Sequence, residues 1–190
     1  MVSLRKALFL DRDGVINVDR GYVHRIEDFV FVDGIFELVR TARRLGLAPV
    51  VVTNQSGIAR GLYDEAVFQT LTAWMLERFA AERAPIERVY FCPTHPQAII
   101  ERYRRADPRR KPGPGMLLDA VAELGLDASS SAMIGDHWSD ALAAAAAGVK
   151  RIALVGPESD GPAGAPAVTQ VADLTAAKGW LERVFAGDQA

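Results

Sequence analysis

Apolar positions along this chain fall into two rhythms. Nearly unbroken apolar runs of four or five residues at 7–10, 49–53, 88–92, 131–134 and 151–155 have the length and continuity of strands buried on both faces. Most of the intervals between them carry apolar residues at helical spacing instead. The longest such interval runs from about Asp64, an N-cap residue by type, to about Glu82, with Phe68, Leu71, Met75, Leu76 and Phe79 on one face. A second spans about 35–45 and stops at Gly46, suited to the position after a helix end. The run ALAAAAAG reads as a tightly packed helix ended by Gly148, because alanine is the best helix former and lets elements approach closely. A last helix is expected at about 176–185, after a loose connection rich in Gly, Pro and Ala over 156–166. Strands alternating with helices predict an α/β fold, a Rossmann-like parallel sheet with helices on both faces.

Two stretches break the rhythm, 17–34 and 93–114. Long connections in a compact α/β unit are usually functional or disordered, and each of these starts just past the end of a strand, where open α/β sheets bind ligands. A single domain over 1–190 is therefore expected, with both loops shaping its pocket.

Composition changes this picture little. The chain is 49% hydrophobic and 24% charged with a formal net charge of -2, which is ordinary for a soluble protein and gives no general attraction to nucleic acid or anionic membrane. The cluster Arg102, Arg104, Arg105, Arg109 and Arg110 lacks interleaved aromatics beyond Tyr103, so it reads as a solvated basic loop with Arg110 turned inward, not as a nucleic-acid surface. One cysteine, Cys92, permits no intramolecular disulfide and fits a reducing compartment. No apolar stretch is long enough to span a membrane, and a monomer in the cytoplasm is expected.

The chemistry begins at ALFLDRDG, where Asp11 and Asp13 follow directly on a buried run. An unpaired carboxylate there would be costly, so a basic side chain, a metal ion or exposure at the strand tip must compensate it. Thr53, Asn54, Gln55 and Ser56 follow the second strand, Arg110 and Lys111 precede a helix, and Asp136 and Asp140 follow the fourth strand. Each fragment alone has an ordinary structural reading as a turn, a cap or a surface lysine. Gathered at one sheet edge, the carboxylates suit Mg²⁺ as hard oxygen ligands, while the lysine and hydroxyls suit phosphate oxygens.

The ordered set DRDG, VVTNQ, RKPGPGM and GDHWSD resembles the four motifs of the haloacid dehalogenase-like phosphohydrolases over nearly the whole chain to about Val155. That resemblance implies Asp11 as nucleophile, Asp13 as general acid/base, and Thr53 and Lys111 as ligands of the transferring phosphoryl group. It also implies Mg²⁺ held by Asp11, the Asp13 backbone carbonyl and Asp136. The stretches NVDRGYVHRIEDFVFVDG and TNQSGIARG resemble the group of heptose-bisphosphate phosphatases within the superfamily, with histidinol phosphatases as the runner-up. A sugar bisphosphate substrate and the absence of a large cap domain are then implied. Asp19, Arg20, Gly21, Tyr22, Asn54, Gln55, Ser56 and Arg110 would be substrate contacts. A phosphosugar-binding regulator phosphorylated without turnover is a third reading, weakened by the presence of Asp13.

Two departures stand out. Relatives often hold a structural Zn²⁺ in the second loop through Cys-x-His and Cys-x-Cys, but Thr94 stands at the histidine position and Asp107 and Arg109 stand at the two cysteines. Cys92 with neighbouring His95 falls short of four ligands, so zinc is not expected and an Asp107–Arg109 contact is one candidate to order the loop. His137 stands where the resembled group implies a lysine after the metal-binding aspartate, and it is open to a polar-loop role or to a supporting role beside phosphate or metal.

Overall fold

The computed structural model describes residues 4–157 and 159–189. Six strands, β1 (Lys6–Leu10), β2 (Leu47–Asn54), β3 (Arg88–Cys92), β4 (Ala132–Gly135), β5 (Arg151–Val155) and β6 (Thr169–Val171), form one sheet in the order β3-β2-β1-β4-β5-β6. Every pairing is parallel, in register from Lys6↔Leu47 and Leu8↔Ala132 inward. Among the described residues six α-helices accompany it: α1 (Ile35–Arg44), α2 (Ser56–Ala59), α3 (Glu65–Ala81), α4 (Gly115–Leu124), α5 (Trp138–Ala146) and α6 (Leu174–Phe185). Strand order reverses at β1, so the crevice past the C-terminal ends of β1 and β4 is the switch point at which such sheets bind ligands.

The two-residue period of β1 divides the core. Leu8 and Leu10 face α1, α3 and α6 through Leu38, Met75, Phe79 and Trp180, while Ala7 and Phe9 face α4 and α5 through Leu117, Ala120, Ala141 and Ala144. The small alanines of α5 let it lie close on the sheet. Asp64 Oδ1 accepts from Val67 N at 2.9 Å as the N-cap of α3, and Gly46 and Gly148 take φ of +77° and +91° just after α1 and α5. The last helix starts earlier than its apolar pattern indicates because Asp173 caps it, accepting from Ala176 N at 2.8 Å. The pattern did not reveal β6, a three-residue edge strand too short to show a period, or the single turn α2.

Both irregular loops are ordered. The first pairs back on itself through an Asn17↔Phe31 bridge and a Val18 N to Val30 O bond of 2.8 Å, and it buries Val23 and Phe29. The second packs Ala98 and Tyr103 onto Ile58, Ala59 and Phe68, and Tyr103 Oη donates to Glu65 Oε1 at 2.6 Å. Among the described residues no helix is long and apolar enough to cross a membrane, and no inserted cap unit interrupts the sheet.

Phe79, fully buried against Phe31 and Phe36, joins the first loop to α3 and the core. Phe79→Ala should cost about 3–5 kcal/mol, which chemical denaturation reads directly.

Candidate active site

Hydrogen bonding builds the site at the β1/β4 crevice from the inside outward. Lys111, 1% exposed at its side chain, sends Nζ to Val52 O at 2.8 Å, Asp11 Oδ1 at 2.9 Å and Asp140 Oδ1 at 2.6 Å. Asn54 fixes the lysine's backbone from both sides: its Nδ2 donates to Lys111 O and its Oδ1 accepts from Lys111 N, each at 3.0 Å. Asp140 is wholly buried, and its Oδ2 also accepts from the backbone N–H groups of Asp136 and His137 at 3.2 and 3.1 Å. Its carboxylate thus shapes the turn that presents Asp136 and pairs with the buried ammonium.

Asp11 and Asp13 are two residues apart but have different surroundings. Asp11 Oδ1 accepts from Arg12 N at 2.7 Å and meets Lys111. Burial, outweighing the pull of Lys111 and aided by Asp140 and Asp136, pushes its pKa up to about 7. Burial opposes the charge on Lys111 too, yet Asp11 and Asp140 outweigh it and raise its pKa. Asp136 is raised by burial, against a contact with His137, whose own pKa rises because Nδ1 lies 2.9 Å from Asp136 Oδ1.

Asp13 faces donors. Arg12 Nε and NH2 reach its two oxygens at 3.1 and 2.8 Å, Asn17 Nδ2 donates to Oδ1 at 3.0 Å, and Gln55 Nε2 donates to Oδ2 at 3.1 Å. Arg12 is 1% exposed, and its NH2 also donates to Val23 O at 2.7 Å, pinning the first loop to the carboxylate. Gln55 in turn donates to Thr53 Oγ1 at 2.9 Å and accepts from Tyr63 Oη at 2.7 Å. Gly14 is needed here: its φ is +85°, and a Cβ would collide with the Asp136 carboxylate.

Outside these groups opens a cleft of about 340 Å³ lined by Asp13, Asp19, Gly21, Tyr22, Asn54, Gln55, Ser56 and Tyr63. Most of the expected substrate contacts meet in it. Arg20, exposed on the same loop, does not line it, and Arg110 stands to one side with its NH1 on Thr94 O at 3.2 Å. The loop is shaped by Asp19 Oδ1, which accepts from Gly21 N at 2.8 Å, and by Tyr22 at φ +54°, a strained value for an aromatic residue. His24 stacks on Tyr63 at 4.8 Å between centroids.

The motif reading did not single out Arg12, Asn17, Arg60 or Tyr63, and it gave no role to Asp140 beyond its place in the set. Asp140 follows Asp136 at one helical turn and so carried a signal in spacing. Arg60 did not. Its guanidinium lies 5.9 Å from the Tyr22 ring centroid, and burial together with the like charge of Arg60 lowers the pKa of Arg110. Among the described residues neither arginine has a carboxylate partner.

Residues 108–176 match a family model described as "HAD-hyrolase-like", a haloacid dehalogenase-type hydrolase. The chain is 54% identical to D-glycero-alpha-D-manno-heptose-1,7-bisphosphate 7-phosphatase of Burkholderia mallei (strain ATCC 23344) over 79% of each chain. It is 50% identical to D-glycero-beta-D-manno-heptose-1,7-bisphosphate 7-phosphatase of Escherichia coli (strain K12) over 78% of each. Its structure superposes with a TM-score of 0.79 on D,D-heptose 1,7-bisphosphate phosphatase from B. bronchiseptica complexed with magnesium and phosphate, at 28% identity and covering 94% of this chain and 99% of that one.

Removing one member of a buried ion set leaves the others uncompensated. Asp140→Ala should destabilise the protein by about 3–5 kcal/mol, read as a lowered urea midpoint.

Proposed function

The chain belongs to the haloacid dehalogenase-like hydrolases, and from that membership we propose that it is a Mg²⁺-dependent phosphatase removing the 7-phosphate of D-glycero-D-manno-heptose 1,7-bisphosphate. The observation that carries the reading is the Lys111–Asp11 contact of 2.9 Å, set at the same sheet edge as the Asp13 carboxylate and Asp136. The lone buried Cys92 agrees with a cytoplasmic setting.

A hard divalent cation fits the donor set. Asp11 and Asp136 are crowded carboxylates raised by burial, and Asp136 Oδ1 is buried without an aligned hydrogen bond despite its contact with His137. Asp136, His137 and Asp140 also place ligand atoms within 4.8 Å of one another, but Asp140 is committed to Lys111 and two backbone N–H groups. The residues that would hold Mg²⁺, as the family resemblance implies, are Asp11, the Asp13 backbone carbonyl and Asp136. Bound there, the ion supplies positive charge that neutralises the phosphoryl oxygens and the carboxylates.

The chain's own groups do the rest. Thr53 and Lys111 hold the phosphoryl oxygens, Lys111 by sharing with phosphate the N–H it now directs at Asp11, and its charge lowers the repulsion between the Asp11 carboxylate and its anionic target. Asp11 attacks phosphorus, the bond to the sugar oxygen breaks, and Asp13, in its acid form at this step, gives that oxygen a proton. Water then attacks the aspartyl-phosphate, Asp13 takes its proton, and phosphate leaves with Asp11 restored. Arg12, Asn17 and Gln55 aim the Asp13 carboxyl through both steps. The cleft from Asp19 to Ser56 takes the sugar.

Arg110 and Arg60 supply the discrimination between readings. Two cations without carboxylate partners suit a second phosphate on the substrate, and they would repel the ammonium of histidinol phosphate. Turnover rather than mere phosphorylation follows from Asp13, which a passive acceptor site does not require.

Asp11→Asn should keep the fold and lower kcat by at least about 10⁴-fold in a phosphate-release assay, since an amide is no nucleophile. Substantial residual activity would remove Asp11 from its role. EDTA should abolish turnover and Mg²⁺ restore it, and Asp136→Asn should raise the Mg²⁺ concentration needed for half activity. Heptose bisphosphate should be hydrolysed with higher kcat/KM than heptose 7-phosphate, leaving the 1-phosphate as product. Arg110→Ala and Arg60→Ala should each narrow that preference by roughly tenfold or more, in keeping with a charge-assisted contact. A preference for histidinol phosphate would transfer the assignment to the runner-up.

A further inference from the structure

The second loop lacks the side chains of the zinc pattern that the family resemblance implies for it: Thr94, Asp107 and Arg109 stand at three of the four ligand positions. Zinc does not fit the side chains present. Cys92 Sγ is 3.1 Å from Thr94 Oγ1, the Asp107 carboxylate is taken by Thr94 and by a backbone N–H, and the Arg109 guanidinium turns away to Asp119 at 3.0 Å. His95 Nδ1 accepts from Gln97 N at 3.0 Å. One sulfur with no converging partners is not a four-ligand site.

A connected polar clasp occupies that place instead. Thr94, fully buried just past β3, donates Oγ1 to Asp107 Oδ2 at 3.1 Å across thirteen residues of loop. Asp107 Oδ1 accepts from Arg109 N at 2.9 Å, and Asp107 O accepts from Arg110 N at 3.0 Å. Arg110 closes the circuit by donating NH1 to Thr94 O at 3.2 Å. The start of the loop is fixed to the sheet edge, since Gln55 N donates to Cys92 O at 2.8 Å. The expected contact between Asp107 and the Arg109 side chain is thus replaced by one to the Arg109 backbone. Arg105 adds only an exposed pairing at 3.6 Å.

We propose that Asp107 and Thr94 are a positioning pair that aims Arg110 at the remote phosphate of a sugar bisphosphate, doing by hydrogen bonds what a bound zinc would do. The proposal rests on Arg110 being the contact to that phosphate. The physical reason is geometric: Arg110 must deliver a long, entropically free side chain to a fixed point, and the clasp holds both its backbone N–H and its guanidinium before substrate arrives. A carboxylate accepting two bonds in a largely buried place is a stiffer tie than an exposed ion pair.

The test is steady-state kinetics of the full-length Mg²⁺ enzyme on heptose bisphosphate and heptose 7-phosphate, with Asp107→Ala, Asp107→Asn, Thr94→Val, Arg110→Ala and the double variant Asp107→Ala/Arg110→Ala. Asp107→Ala should raise KM for the bisphosphate about tenfold, leave the monophosphate unchanged, and add nothing in the Arg110→Ala background. Asp107→Asn, which keeps an acceptor for Arg109 N and offers a donor to Thr94, should recover most of the preference. Thr94→Val, nearly isosteric, serves if Asp107→Ala fails to fold and should show the same selective loss. A loss shared equally by both substrates, full additivity with Arg110→Ala, or stoichiometric zinc in the purified protein would overturn the proposal. If Arg110→Ala is selective and Asp107→Ala is not, the clasp fails while the remote-phosphate reading stands. If Arg110→Ala is itself unselective, that reading falls and the clasp with it.

Discussion

A single ammonium group, Lys111 Nζ, lies out of solvent between the carboxylates of Asp11 and Asp140 and the carbonyl of Val52, and the geometry of the site follows from that contact. A buried cation must be paired, and a buried pair is tolerated only when its remaining hydrogen-bonding capacity is filled. Here the three acceptors come from the ends of β1 and β2 and the first turn of α5, so the lysine draws together segments distant in sequence. Asp140 passes the constraint on to the backbone of Asp136 and His137. Asn54 passes it to the backbone of Lys111, and so to the loop carrying Arg110.

The same contact separates the duties of two carboxylates that sequence places almost side by side. Asp11 stands among Asp140 and Asp136 with one lysine to offset them, an excess of negative charge that a divalent cation relieves. Asp13 is turned the other way, onto the guanidinium of Arg12 and the amides of Asn17 and Gln55. In the proposed mechanism one group carries the phosphoryl group and the other faces the leaving oxygen from the substrate cleft. Because Arg12 also holds Val23 O, the orientation of Asp13 and the docking of the first loop are one mechanical unit.

What the chain revealed beforehand follows from the range of each signal. The five longer strands and α1, α3 and α6 showed themselves in apolar runs or periodicity, since each buries a face along its length, and α5 in its run of alanines; α4 was expected only as a helix following Lys111, and β6 and α2 are too short to display a period. Asp11, Asp13, Thr53, Lys111 and Asp136 were legible because they sit at fixed offsets within ordered motifs, and the structure brings Asp11, Lys111 and Asp136 into one charged cluster next to Asp13 and Thr53. Arg60, Tyr63 and the Thr94–Asp107 bond were not legible, because they depend on how separate loops meet. Arg12 is instructive: an arginine between two aspartates reads as surface charge, yet it is among the most buried side chains of the molecule.

The division of labour proposed for Asp11 and Asp13 requires two successive displacements at phosphorus, one by the Asp11 carboxylate and one by water. The stereochemical course of transfer from a substrate whose reacting phosphate is made chiral with oxygen isotopes reads this directly. Two in-line displacements predict net retention of configuration. Net inversion would mean that water attacks the sugar phosphate in a single step, and Asp11 would then be a metal ligand without being a nucleophile.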